Sequence, residues 1–140
     1  MARSLSAFLA DNVERVKTVR YIATPRIKED GRPVEWEIGC ITGAQDAALR
    51  NECTRQVQVK KHQYRDVFDA NAYMVKLAAK STLYPDLNSA ELQASYGAMD
   101  AEQLLSAMLT SGELSAYEVK VQEANGFDVL MEDLVDEAKN

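Results

Sequence analysis

The sequence predicts a single α+β domain that is predominantly α-helical, with an N-terminal helix and a β-hairpin followed by a bundle of short helices. Three observations predict it. A chain of 140 residues fits one domain. Apolar residues recur at helical spacing near the N-terminus and through the second half of the chain. Two β-rich runs flank an Asp-Gly turn. The hairpin-bearing part covers about residues 1–68, and the helical part covers about residues 69–140.

The first element is predicted to be an amphipathic helix over residues 5–17. Its apolar residues recur at intervals of three and four, which places them on one helix face. They are Leu5, Phe8, Leu9, Val13 and Val16.

The β-hairpin is predicted from residues 20–28 and 34–41, which surround the Asp-Gly pair at 30–31. Apolar and polar residues alternate in the second run, and this alternation places Trp36 on the buried face. Pro25 has no amide hydrogen to donate, so its strand is expected to lie at a sheet edge or to contain a break.

The middle of the chain is predicted as a helix followed by an extended segment. The Thr42-x-x-Gln45 pattern is a capping box, which begins a helix that continues to about Cys53. Residues 55–61 alternate in polarity and form a short strand or an extended arm. Residues 62–68 are polar and are predicted to be irregular.

The next helix, residues 70–81, is capped by Asp69 and is apolar on most sides. Such a helix is expected to be central and buried. The candidate core residues from this helix and the hairpin are Trp36, Ile38, Tyr73 and Leu77.

Further helices are predicted from capping residues and glycines. Asn88 and Asp100 each begin a helix, and a third helix runs from Glu113 to about Asn125. A glycine follows the end of each helix, where a left-handed residue is favoured. These glycines are Gly97, Gly112 and Gly126.

The last predicted helix, residues 128–138, has an apolar face opposite an acidic one. Its apolar residues are candidates for contact with another protein, and ordinary core packing is the alternative. They are Leu130, Met131, Leu134 and Val135.

The charge of the chain is divided unequally between its two parts. Net charge is −6, with 14 basic and 10 acidic residues in 1–80 but 2 basic and 12 acidic residues in 81–140. An acidic protein is a poor ligand for nucleic acid or anionic membranes in general. The asymmetry favours oriented contact with a protein partner or pairing of the two parts of the fold.

No residues point to an enzyme, a metal site or a cofactor. The glycines do not form a phosphate-binding loop, and the single histidine, His62, gives no ligand set for zinc. No secretory signal is evident, so Cys40 and Cys53 are expected to be free thiols that are buried as small hydrophobes, and a disulfide between them is the alternative. The basic run at residues 60–65 is interpreted as a solvated loop, and contact with phosphates is the alternative.

Five segments together resemble the XkdN-like family of phage tail assembly chaperones. The resemblance spans nearly the whole chain, and it depends on the order of the segments more than on any one of them. The segments are LxAFLxxNVExV (5–16), DGRPVEWEI (30–38), ECTRQVQVKKHQY (52–64), LYPDLNSAELQASYG (83–97) and VQEANGFDVLMEDLVDEAKN (121–140).

This resemblance implies an assembly factor that is not an enzyme and needs no cofactor. Such chaperones bind and solubilise the tape measure protein and help recruit tail tube subunits. They act in the cytoplasm of the bacterial host and are absent from the mature virion. Neither nucleic acid nor membrane is an expected partner. The alternative from the charge distribution is an acidic adaptor that mimics nucleic acid and inhibits a host DNA-binding protein.

A frameshifted longer form of the chain is a further expected partner. Many chaperones of this kind have one, and Ala138-Lys139-Asn140 can be encoded by a slippery A-AAA-AAY sequence. The codons used at these three positions decide whether the slip can occur.

Overall fold

The computed structural model describes residues 4–127. Within that part, 46% of the residues are helical and 21% are in strands, arranged as five helices and three small antiparallel sheets. The helices are α1 (Gly43–Glu52), α2 (Ala70–Ser81), α3 (Ala90–Ser95), α4 (Ala101–Met108) and α5 (Ser111–Ala124). The strands are β1 (Val19–Tyr21), β2 (Lys28–Glu29), β3 (Arg32–Pro33), β4 (Trp36–Ile38), β5 (Thr54–Lys60), β6 (Gln63–Phe68) and β7 (Thr82–Tyr84).

The prediction of a predominantly helical fold with an N-terminal helix is therefore wrong. Residues 5–17 contain only two 3₁₀ turns, Ser6–Phe8 and Ala10–Asn12, and all of them are exposed. A helix shorter than about 12–15 residues is marginal in water unless its apolar face is packed. None of the other described residues packs on this segment so as to stabilise the face. The Asn12 side-chain amide instead donates to the Ser6 carbonyl at 2.7 Å, which favours a local turn.

The first hairpin forms as two short ladders with a break between them. β2 pairs with β3 across Asp30 and Gly31, which have φ of 52° and 78°. These left-handed values confirm the predicted Asp-Gly turn. Further from the turn, β1 pairs with β4. β1 is an edge strand and the ladder is interrupted around Pro25, as its missing amide hydrogen predicts.

A third strand, β7, joins this hairpin and was not predicted. The sheet order is β1-β4-β7, and β7 lies antiparallel to β4. The peptide bond that follows β7, between Tyr84 and Pro85, is cis. The central position of β4 buries both Trp36 and Ile38.

The second hairpin, β5 and β6, stands apart from that sheet. The predicted strand at residues 55–61 is confirmed, whereas the prediction that residues 62–68 are irregular is wrong. His62 occupies the turn with φ of 64°. Apart from the half-buried Val57 and Val67, every residue of both strands is exposed.

Helix α2 lies at the centre of the helical part and contacts α1, α4, α5 and β7. It buries Tyr73 and Leu77, and the core continues through Trp36 to the fully buried Tyr117 of α5. The Trp36 and Tyr117 rings meet edge to face at 5.3 Å, a favourable aromatic geometry. One apolar cluster thus joins the first hairpin to the helices.

The predicted helix caps agree with the structure at three positions. Thr42 forms the complete capping box with Gln45 at the start of α1. Asp69 caps α2 and Asp100 caps α4, each by accepting a backbone amide. The cap of α3 is Ser89, so its assignment to Asn88 is wrong by one residue.

The boundaries of α5 also differ from the prediction. A capping box between Thr110 and Glu113 begins this helix at Ser111. Gly112 is therefore its second residue and does not end the preceding helix. Gly97 and Gly126 have φ of 67° and 82°, as predicted for residues that end helices.

The two cysteines are free thiols in different environments. Cys53 is buried, and burial raises the pKa of its thiol. Cys40 is exposed, and its Sγ contacts the Ala124 carbonyl oxygen at 2.9 Å. The expectation that both are buried small hydrophobes is thus wrong for Cys40.

Candidate protein-interaction surfaces

Residues 4–127 contain neither a candidate metal site nor a helix that could span a membrane. Within residues 4–127, no group of three His, Cys, Asp or Glu residues is arranged to hold a metal ion. The same part of the chain has no helix with the length and hydropathy of a membrane span. His62 lies at the turn of the second hairpin, whereas Cys53 adjoins its open end. The hairpin's length therefore separates the histidine from the buried thiol.

The N-terminal apolar segment, residues 4–17, is the first candidate surface. Leu5, Phe8 and Val16 are 75%, 79% and 70% exposed, respectively. Leu9 and Val13 are exposed as well. These are the residues whose spacing predicted a helix. They have the spacing of an amphipathic helix, and within residues 4–127 nothing covers them.

The second candidate surface is a groove of about 180 Å³ beside the first hairpin. Trp36 and Met108 are buried, whereas Tyr84 and Tyr96 keep about half of their surface exposed. The elements β7, α3 and α4 bring these residues together with the first hairpin. The apolar groove is lined by Ile27, Val34, Trp36, Tyr84, Pro85, Leu92, Tyr96 and Met108.

Two exposed carboxylates are chain neighbours of residues that line the apolar groove. Asp86 and Glu91 are the chain neighbours of the lining residues Pro85 and Leu92. Neither forms an ion pair with another described residue.

A nearby carboxylate is already paired within the fold. Glu113 accepts a hydrogen bond from the Arg26 guanidinium at 2.7 Å, and this bond lowers the pKa of Glu113 to about 2. The same guanidinium donates to the Met108 carbonyl at 3.0 Å. Arg26 thus ties the break in the first hairpin to the segment between α4 and α5.

The third candidate surface is the turn end of the second hairpin. This hairpin tip comprises residues 59–65, in which Val59 and Tyr64 are 55% and 61% exposed. The hairpin as a whole has four basic residues and one acidic residue between 54 and 68. None of the four forms an ion pair with another described residue. They are Arg55, Lys60, Lys61 and Arg65.

Aromatic and charged contacts hold the open end of this hairpin against the helices. The Phe68 ring lies 5.5 Å from the Tyr73 ring, and the Arg50 guanidinium lies 4.6 Å from the centre of the Tyr73 ring. Tyr73 donates its hydroxyl hydrogen to Asp46. Burial, helped by this bond, raises the pKa of Tyr73 to about 12. The direction in which the hairpin projects is therefore set at its base.

The sequence-predicted interaction residues lie outside the described residues. They are Leu130, Met131, Leu134 and Val135. The N-terminal apolar segment was recognised as amphipathic, but its exposure in the described part of the chain is not visible in sequence. The hairpin tip was identified as basic and exposed, although as a loop.

Comparison with known proteins gives consistent results over nearly the whole chain. The model of the phage XkdN-like tail assembly chaperone family matches residues 5–139. The XkdN protein of the phage-like element PBSX of Bacillus subtilis (strain 168) is 28% identical over 138 residues, which cover 97% of this chain and 93% of XkdN. The uncharacterised protein YqbN of the same strain is also 28% identical with the same coverage. A crystal structure of YqbN superposes with a TM-score of 0.74 at 21% identity, covering 90% of this chain and 98% of YqbN.

Proposed function

The chain belongs to the phage XkdN-like tail assembly chaperone family, and from that premise we propose that it binds the tape measure protein and keeps it soluble until tail tube subunits are recruited. The family's role is in assembly, not in catalysis. The proposed place of action is the cytoplasm of the bacterial host, with the chaperone leaving before the tail is complete.

The observation that supports this proposal is the exposed N-terminal apolar segment. A long helical client with an apolar seam needs a complementary apolar face, and amphipathic helices supply one through residues at intervals of three and four. Leu5, Phe8 and Leu9 have that spacing. We propose that the segment becomes helical when it packs on the client.

The cost of ordering this segment fits a chaperone that must later be displaced. Folding on binding consumes about 2–5 kcal/mol of the interaction energy, so each contact stays modest in affinity. Many copies along one client together retain it strongly, because linked weak sites act jointly. Tube subunits could then displace the copies one at a time.

The test is co-expression with the tape measure protein, followed by measurement of the soluble client. L5D/F8D should greatly reduce the soluble yield, because two carboxylates cannot be buried against an apolar seam. The matched control is A7D/A10D, which adds two carboxylates at exposed positions on the opposite face of the proposed helix and should preserve the yield. Circular dichroism should show that both variants are folded.

The predicted C-terminal contact is tested in parallel with L130D/L134D. A folded L130D/L134D variant that still solubilises the client would exclude that helix as the contact. Full yield from L5D/F8D would instead exclude the N-terminal apolar segment. Loss in neither variant would contradict both proposed contacts.

A further inference from the structure

The N-terminal apolar segment and the chain after α5 leave the described fold at the same place. Strand β1 begins at Val19, which pairs with Ile38, the last residue of β4. Three residues further on, the Ile41 amide donates to the Asn125 side-chain oxygen at 3.0 Å, directly after α5. The end of β4 therefore lies beside both the start of β1 and the end of α5.

These two parts of the chain have matching lengths and apolar patterns. Residues 5–16 span about 18 Å and residues 128–138 about 16 Å when helical. Each range has apolar residues at the spacing of one helix face. The second range lies outside the described residues, and its helix is the one that the sequence predicts.

The charges at the margins of the two apolar faces are opposite. In helical projection Arg15 and Lys17 flank the first face, and neither forms an ion pair with another described residue. Residues 128–140 have five acidic residues and one basic residue, and Asp128 and Asp133 flank the second face. Opposite charges beside an apolar seam favour the pairing of two helices.

We infer that residues 128–138 fold back over the N-terminal apolar segment of the same chain, with both ranges helical. Because both start from the same end of β4, they run antiparallel when they lie side by side. This arrangement places Leu134 near Leu9, Asp128 near Lys17 and Asp133 near Arg15.

The contact covers an apolar surface that the described residues leave in water. Five large apolar side chains between residues 5 and 16 are exposed. Tethering gives the two ranges an effective concentration of about 1 mM, so a weak contact is sufficient to hold them together. If the proposed function is correct, the client must compete with residues 128–138 for the same surface.

A disulfide cross-link tests the contact directly in the full chain. L9C/L134C is made with C40S, which removes the exposed native cysteine, whereas Cys53 is buried. Mild oxidation of dilute protein should join the two new cysteines within one chain. L9C/D136C, also with C40S, is the matched control. It should cross-link about tenfold more slowly, because its second cysteine is on the opposite face of the predicted helix and beyond disulfide reach.

Two results of cross-linking would overturn the inference. One is an equal rate in L9C/L134C and its control. The other is a product that consists only of cross-linked dimers, which would show that the segments meet between chains and not within one.

Hydrogen exchange measures the cover on residues 5–17. Their amides should exchange about tenfold faster in L130D/L134D than in the parent chain, because the contact no longer closes over them. E132A/D136A changes two residues of the opposite face and should exchange as the parent does. Slow exchange in β4 and α2 shows that each variant is folded. Unchanged exchange of residues 5–17 in a folded L130D/L134D would contradict the inference.

Charge reversal tests the alignment of the two segments. R15E/K17E and D128K/D133K should each slow the cross-link about threefold or more, because like charges then face one another. The four reversals combined should restore the rate, because each pair is formed again with its signs exchanged. A folded chain with all four reversals that stays slow would overturn the inference.

The contact and the proposed function fail separately. A rapid cross-link together with full client yield from L5D/F8D would support the contact and refute the client site. Loss of client in L5D/F8D without preferential cross-linking would do the reverse. If both hold, oxidised L9C/L134C should lose its capacity to solubilise the client, and reduction should restore it.

Discussion

The two hairpins of this fold have different roles in the structure. The first presents Trp36 and Ile38 to the core and gains a third strand, β7. The second pairs only with itself among the described residues, and almost all of its side chains face solvent. An isolated two-stranded hairpin is marginal in water, so a hairpin that adds little to the core must be held at its base. The first hairpin is therefore part of the core of the domain, whereas the second is a projection that the domain supports.

Truncation of one aromatic residue in each hairpin tests this division of roles. Trp36→Ala should lower the free energy of unfolding by about 3–5 kcal/mol, because the ring is 1% exposed and contacts Tyr117. Tyr64→Ala should lower it by less than about 0.5 kcal/mol, because its ring faces solvent. Urea unfolding followed by circular dichroism measures both changes in stability. Tryptophan fluorescence is not suitable, because Trp36 is the only tryptophan and Trp36→Ala removes it.

Two outcomes would contradict the division of roles. A Tyr64→Ala variant as unstable as Trp36→Ala would place the second hairpin in the cooperative core. A Trp36→Ala variant of nearly unchanged stability would show that the first hairpin does not belong to the cooperative core.

Two buried tyrosines provide a second comparison, because each supports one hairpin. Tyr117 packs on Trp36 of the first hairpin, and Tyr73 packs on Phe68 of the second. Burial is the largest cause that raises the pKa of each hydroxyl to about 12. The folded-state pKa lies above the unfolded value of about 10, so the stabilisation is complete below pH 10 and is lost as the pH rises toward 12.

The free energy of unfolding should therefore fall steeply as the pH rises above 10, on the alkaline limb of the stability profile. We expect each tyrosine to account for about 2–3 kcal/mol of the loss between pH 10 and 12. Tyr117→Phe and Tyr73→Phe should each be less stable at neutral pH, because each loses a hydrogen bond, and each should show a flatter alkaline limb. Urea unfolding at a series of pH values provides the measurement. An alkaline limb unchanged in Tyr117→Phe would mean that its hydroxyl does not titrate in this range.

The same contrast explains what sequence alone could predict. The first hairpin was predicted because its turn is local and its alternating residues face a core. Strand β6 was missed because Tyr64, Asp66 and Phe68 have no shared buried face that would appear as an apolar pattern. Strand β7 was missed because it pairs with β4, more than forty positions earlier in the chain.

Helices were predictable where packing supports them. Helix α2 matches its predicted range, because its cap is local and its apolar faces meet other helices. Residues 5–17 have an equally regular apolar spacing, but among the described residues they have no packing partner, and spacing alone does not supply one. The groove was beyond prediction, because its lining runs from Ile27 to Met108 and arises only when distant elements meet.

The smallest expected effect concerns the turns of the two hairpins. His62 and Asp30 both have positive φ, 64° and 52°, a conformation in which glycine is unstrained. Asp is well suited to the left-handed turn of the first hairpin, whose strands are also held by the core. His62→Gly should relieve strain at the second turn, and the added freedom of the unfolded chain offsets part of the gain. We expect a net stabilisation of the second hairpin below about 0.5 kcal/mol.

Hydrogen exchange of the β5 and β6 amides measures this local change, because the hairpin should open without unfolding the domain. His62→Gly should slow exchange in these strands, and His62→Val should hasten it, because a β-branched residue is disfavoured at positive φ. Asp30→Gly should leave exchange in the first hairpin almost unchanged, since its opening requires exposure of Trp36. Equal responses of both hairpins to their glycine variants would contradict this account, because they would show that the core does not control opening of the first hairpin. A response confined to the second hairpin would show that its own turn controls its opening, as expected of a projection anchored only at its base.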